Sequence, residues 1–122
     1  MTVNRSFSRR ERVGEQIRRD LAELIRVELK DPRVGMVSLT GVDVSPDYAH
    51  AKVYFSTLAG REHLESTLAG LQQAASFLRR ELGKRLSLRG TPELRFVYDE
   101  SLERGADLSE LIRRAVSTAA ED

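Results

Sequence analysis

Chemistry at neutral pH needs a nucleophile, a titrating acid–base pair, a metal cage or a cradle for phosphate, and this sequence is poor in all four. It contains no cysteine, which removes thiol nucleophiles, thiolate ligands and disulfides. Its two histidines, His50 and His63, have no second ligand at metal-binding spacing, so no metal is expected. Asp43 and Asp47 flank Ser45-Pro46, and Asp99-Glu100 follow an apolar run. Acid–base catalysis needs two carboxylates in unlike environments, whereas a turn aspartate ordinarily satisfies local amides. No Ser–His–Asp set is supported. The eight glycines are scattered and form no GxGxxG, P-loop or GxxG. Neither catalysis nor a cofactor is expected.

What remains is arginine. The net charge of +1 hides a strong division along the chain. Residues 1–19 carry six arginines against two glutamates. Residues 78–90 carry Arg79, Arg80, Lys84, Arg85 and Arg89 against Glu81 alone, and residues 99–122 carry seven acids against three arginines. Basic runs are commonly solvated helix faces. They point to a polyanion only if folding brings them onto one surface. Tyr54 is the aromatic residue best placed for surface contact, because Phe55, Phe77 and Phe96 stand at or beside apolar-phase positions. The basic–Gly–aromatic signature of an RNA-recognition motif is absent.

The elements that must position these charges are legible. Ser8-Arg9-Arg10-Glu11 reads as a capping box, followed by a stripe of Val13, Ile17, Leu21, Leu24 and Ile25. Arg12, Arg19 and Arg26, seven apart, form an outward row. Asp31-Pro32 ends this helix. Val37 and Leu39 alternate with polar residues, then Val42 and Val44 alternate in the opposite phase, which predicts a bulge near Gly41. Ser45-Pro46-Asp47 predicts a turn, and Ala51, Val53 and Phe55 a second strand with Lys52 and Tyr54 on its other face. From Glu62 to Leu88 a leucine-rich stripe is helical, with weak points at Ala74-Ala75-Ser76 and Gly83. Glu93–Tyr98 predicts a third strand, and Asp107-Leu108-Ser109-Glu110 caps a final helix.

The expected fold is therefore α+β in the order α-β-β-α-α-β-α, with helices on one face of a three-stranded mixed sheet. That is the order of a type II KH-like domain, here without its GxxG loop. One such domain spans 1–122, with a core of about 9–116 and flexible ends at 1–8 and 117–122. The longest apolar run is three residues, as in Val53-Tyr54-Phe55, too short to cross a bilayer. A cytoplasmic location is expected.

An ordered set of strings carries a sharper signal. Asp31-Pro32-Arg33-Val34-Gly35, Gly41-Val42-Asp43-Val44-Ser45-Pro46-Asp47 and Ala51-Lys52-Val53-Tyr54-Phe55-Ser56 come first. Leu78-Arg79-Arg80-Glu81-Leu82-Gly83, Leu86-Ser87-Leu88-Arg89, Thr91-Pro92-Glu93-Leu94-Arg95-Phe96 and Asp99-Glu100-Ser101 follow. Together they resemble the bacterial ribosome-binding factor A family over roughly Arg9 to Val116. The resemblance implies a non-catalytic assembly factor that binds the free 30S subunit and its 16S rRNA. It also implies support of late small-subunit maturation, including 5′-end processing, and of growth in the cold. An interhelical kink is implied at Ala74, Ala75 and Ser76, where serine replaces the usual glycine.

The rRNA-facing surface is then expected among Arg9, Arg10, Arg12, Arg19, Arg26, Lys52, Arg79, Arg80, Lys84, Arg85 and Arg89. The protein is expected to be monomeric, with ribosomal proteins and an assembly GTPase as further candidate partners. The competing readings are a general RNA chaperone or translation repressor of single-stranded RNA, and a dimerising module built on the leucine seam Leu64–Leu86.

Overall fold

The computed structural model describes residues 8–86, 88 and 90–101. Helix α1 spans Arg9–Glu28. Its predicted capping box is formed: the Ser8 hydroxyl accepts from the Glu11 amide at 3.1 Å, and the Glu11 carboxylate accepts from the Ser8 amide at 3.0 Å. These bonds hold the Glu11 carboxyl below its usual pKa, the Ser8 amide being the largest cause. The helix stops where Asp31 and Pro32 begin a short 3-10 turn, Pro32–Val34. Asp31 accepts from the Arg33 amide and pairs with its guanidinium at 2.6 Å, while Arg33 also donates to the Gln73 side chain at 2.6 Å. This fastens the turn to the second long helix.

Strands β1 (Val37–Val44) and β2 (His50–Thr57) form an antiparallel hairpin. The register slips between Leu39 and Gly41, as the change of phase predicts, which leaves Thr40 unpaired. The hairpin turn is held by Asp47, whose Oδ1 accepts from the Ser45 hydroxyl and the Ala49 amide, and Tyr48 there adopts φ +60°. A second 3-10 turn, Arg61–His63, leads into α2, Leu64–Arg85. Strand β3 (Glu93–Tyr98) then pairs parallel to β2 in the sheet order β1-β2-β3.

The strongly buried strand residues share one face, the bulge having reversed the phase of β1 between Leu39 and Val44: Leu39, Val44, Ala51, Val53, Phe55 and Phe96. They meet Ile17, Leu21, Leu24 and Ile25 of α1 and Leu71, Leu78 and Leu82 of α2 in one core. The helices thus cover one face of a mixed sheet, and the α+β expectation is met.

One element differs. The region 62–88 is expected as two helices meeting at Ala74, Ala75 and Ser76, yet α2 is helical without a break across them. Alanine is the strongest helix former, and serine at 76 lacks the backbone freedom of the glycine that a kink would use. The order among the described residues is therefore α-β-β-α-β, with the predicted helix after Asp107 outside them.

Two glycines set how closely the helices pack. A β-carbon on Gly14 of α1 would lie 2.7 Å from the Val42 carbonyl oxygen. One on Gly83 of α2 would lie 2.6 Å from the Thr91 hydroxyl, which can rotate away, whereas a strand carbonyl cannot. Gly14→Ala therefore opposes a helix-propensity gain of about 1 kcal/mol with an overpacking cost of roughly 1–3 kcal/mol. The expected outcome is a net loss of stability in urea unfolding, larger than that of Gly83→Ala.

The Asp31 carboxyl is held below its usual 3.8, first by the Arg33 side chain and then by the Arg33 amide. A depressed carboxyl stabilises the fold above its unfolded pKa, and that contribution disappears as pH falls through the folded value. Asp31→Asn should therefore be less stable than the parent at pH 7. The difference should shrink as unfolding is measured at progressively lower pH below about 3.8.

Candidate nucleic-acid interface

The two basic blocks meet, but only in part. Helix α1 runs with Gly14 against Val42 and with Ile25 and Leu29 beside Val37 and Leu39, so it lies antiparallel to β1. Its first turn consequently reaches the start of β2 and the connection from α2 to β3. There Arg9 and Arg12 face Arg85 across a groove of about 510 Å³ floored by Val13, Leu86 and Leu88. No carboxylate is among the described residues that line it. Arg9 and Leu88 also border a second hollow, which Arg79 closes on its far side. Arg79 and Arg80 line a third together with Ser76 and Thr91. Arg12, Arg85, Arg9, Arg79 and Arg80 thus follow one another along a continuous trough. Asp47 and Glu93 enter only at its middle.

Not all of these guanidinium groups are available for an anion. Arg79 donates through Nε and Nη2 to the Thr91 carbonyl, at 3.1 and 2.8 Å. Arg85 reaches Glu23 at 3.4 Å and Asp20 at 3.9 Å, tying the end of α2 to α1. Lys84 pairs with Glu81 at 2.9 Å, and the Arg80 guanidinium lies 5.7 Å from the centroid of the Phe77 ring. By contrast Arg9, Arg10, Arg12, Arg26 and Lys52 make no ion pair and no side-chain hydrogen bond with another described residue.

The remaining candidates fall elsewhere. Arg19, which donates to Gln16, and Arg26 border a separate groove between α1 and β1. Arg12 and Arg26 are about 21 Å apart along the helix axis, so the outward row of arginines spans two grooves. Lys52 is exposed on the uncovered face of the sheet. Arg95, which sequence reasoning passed over, is its parallel neighbour there, and two-residue alternation could have placed it. That face is not uniformly basic, because Asp43 stands opposite Lys52 in the β1–β2 register. Partial burial and the nearby Asp43 and Asp99 carboxylates raise the Tyr54 phenol above its usual 10. Arg89 lies outside the described residues. The anchor for Arg79, a backbone carbonyl, leaves no trace in residue types.

The chain is similar to known proteins. The family model described as ribosome-binding factor A matches residues 9–112. Ribosome-binding factor A of Dechloromonas aromatica is 65% identical over 111 residues, covering 91% of this chain and 89% of that protein. The chain belongs to the ribosome-binding factor A family. The crystal structure of ribosome-binding factor A from Thermus thermophilus superposes with a TM-score of 0.68 at 28% identity, covering 75% of this chain and 97% of that one. A homology model of the Thermus thermophilus factor, fitted into the cryo-EM map of a 30S–RbfA complex, superposes at 0.59 with 30% identity. It covers 71% of this chain and 91% of that one. The membership agrees with the α+β fold class described above.

The division between tethering and available arginines is measurable. Arg79→Ala removes two charge-assisted bonds to Thr91 at an exposed site, and thermal or urea unfolding should show a loss of about 1 kcal/mol. Arg80→Ala should stay within about 0.5 kcal/mol of the parent.

Proposed function

We propose that the chain is a small-subunit assembly factor that binds the free 30S subunit through 16S rRNA. The observation that carries this reading is the groove where Arg9 and Arg12 of α1 face Arg85 of α2, with no carboxylate among the described residues that line it. Guanidinium groups clamp phosphate oxygens with paired donors, and neutralising phosphates releases condensed counterions. Arg80 and Lys84 extend the contact along α2, while Arg79 and Arg85 chiefly hold the frame in which the others stand. Family membership and the relative fitted into a 30S complex support the choice of partner.

On this reading residues 9–116 work as one KH-like unit in the cytoplasm, as a monomer and without turnover. Holding an immature rRNA segment supports late maturation, including 5′-end processing of 16S rRNA, and growth in the cold. Ribosomal proteins and an assembly GTPase are the further partners such a role calls for. The test is co-sedimentation with purified 30S subunits over a series of salt concentrations. Affinity should fall steeply with salt, and the Arg9→Ala/Arg12→Ala double variant should bind more weakly. Its log–log slope should be shallower by about 0.7 per lost phosphate contact on single strands, or about 0.9 on duplex. Arg26→Ala, away from the trough, should keep the parental slope. An unchanged slope in the folded double variant would remove this assignment of the surface. Equal affinity for unrelated single-stranded RNA would favour a general RNA chaperone or translation repressor instead.

A further inference from the structure

The groove between α1 and β1 has a different character from the trough. It encloses about 550 Å³ over an apolar floor that includes Ile25, Leu29, Val34 and Leu39, with Arg19 and Arg26 on its rim. Among the described residues strand β1 is an edge strand, paired only with β2. The Met36 carbonyl accepts from the Leu58 amide at 3.3 Å, so Met36 and Leu58 face each other as a hydrogen-bonded pair. In an antiparallel ladder such pairs alternate with non-bonded ones. The backbone groups of Ser38 therefore point to β2, and those of Val37 and Leu39 point to the open edge. The bulge at Thr40 ends this short template. Met36, 57% exposed, stands at its other end.

We infer that this edge accepts an extended, acidic–apolar segment of a partner protein as a fourth strand beside β1. Backbone bonds to Val37 and Leu39 supply the ladder, apolar side chains on the face of the segment turned to α1 fill the floor, and carboxylates at the ends of that same face meet the arginine rim. Charge decides the partner's chemistry. Arg26 has no ion-pair partner among the described residues, and the one acid lining the groove, Glu23, is engaged by Arg85. A basic ribosomal-protein tail would meet like charge. A nucleic-acid strand could use the arginines but would leave the apolar floor and the strand edge unmatched. The site is separate from the trough and does not depend on the rRNA reading.

The experiment titrates the full chain with the fluorescein-labelled nine-residue peptide Glu-Thr-Val-Thr-Val-Thr-Val-Thr-Glu, whose valines and terminal glutamates share one strand face, read by anisotropy. Saturable binding should appear at sub-millimolar concentration. Arg26→Glu should weaken it at least tenfold, while Arg12→Glu, in the trough, should change it less than twofold. Replacing glutamate by lysine, or N-methylating alternate amides of the peptide, should abolish it. Absence of saturable binding up to millimolar peptide would overturn the inference. So would indifference to Arg26→Glu or to N-methylation. Binding of an oligo-uridine strand that is lost to the same degree in Arg26→Glu would assign the groove to nucleic acid and likewise overturn it.

Discussion

Much of the architecture follows from one close contact, the backbone of α1 at Gly14 lying against the Val42 carbonyl. Only a residue without a β-carbon permits it, and the usual cost of glycine in a helix, about 1 kcal/mol against alanine, is offset by the approach it allows. Val42 stands just past the β-bulge, where the shifted register returns Val42 and Val44 to the inner face. The contact therefore fixes the depth of α1 on the sheet, and together with Ile25 and Leu29 beside Val37 and Leu39 it sets the direction, antiparallel to β1. Direction is what sorts the arginines. The first turn is carried to the end of the sheet where α2 finishes and β3 begins, and the last turns are carried to the open edge of β1.

The electrostatics obey the same geometry. Arg18 and Arg19 are matched by neighbours on α1, whereas three arginines are matched by a group from another element: Arg33 by Gln73, Arg79 by Thr91, Arg85 by Asp20 and Glu23. These contacts are partly exposed, and each contributes modestly to stability. Their larger effect is positional, since they stop the ends of α2 from sliding over α1 and β3. Arg9 and Arg12 have no such partner and face Arg85 across solvent. Arg85 is compensated by Asp20 and Glu23, whereas Arg9 and Arg12 add positive potential beside it without an ion pair of their own, which is unfavourable for the isolated fold and favourable for an incoming polyanion.

The sequence made local structure legible and tertiary commitments illegible. Capping at Ser8 and Glu11, the stop at Asp31-Pro32, the bulge near Gly41 and the Asp47 turn each depend on residues a few positions apart, and each forms as read. The kink at Ala74–Ser76 was expected from resemblance, against a leucine periodicity that runs through it unbroken, and the periodicity describes the helix correctly. The candidate site was half legible. Block charge located Arg9, Arg12 and Arg80. It could not show that Arg79 is spent on a carbonyl twelve residues away, or Arg85 on acids in α1. Nor could helical periodicity alone show that Arg19 and Arg26 belong to another groove than Arg12.

The unbroken α2 has a consequence for how such a surface can bind. The helix is held at Gln73 through Arg33 and at Arg79 through the Thr91 carbonyl, with Ser76 and Phe77 between the two anchors and Arg80 just beyond the second. A hinge between those anchors would let the basic end of α2 adjust to a partner, at the cost of ordering it on association. A continuous helix has already met that cost during folding. The spacing between the Arg9–Arg12 pair and Arg80 is then fixed before any partner arrives, and a flexible polyanion that follows the trough must supply the conformational adjustment itself. Rigid donors at set intervals favour a strand whose phosphates can be brought to them over one whose backbone path is already fixed elsewhere. On the proposed reading, an rRNA segment that has not yet settled into its final contacts meets that condition, and one already packed into the mature subunit does not.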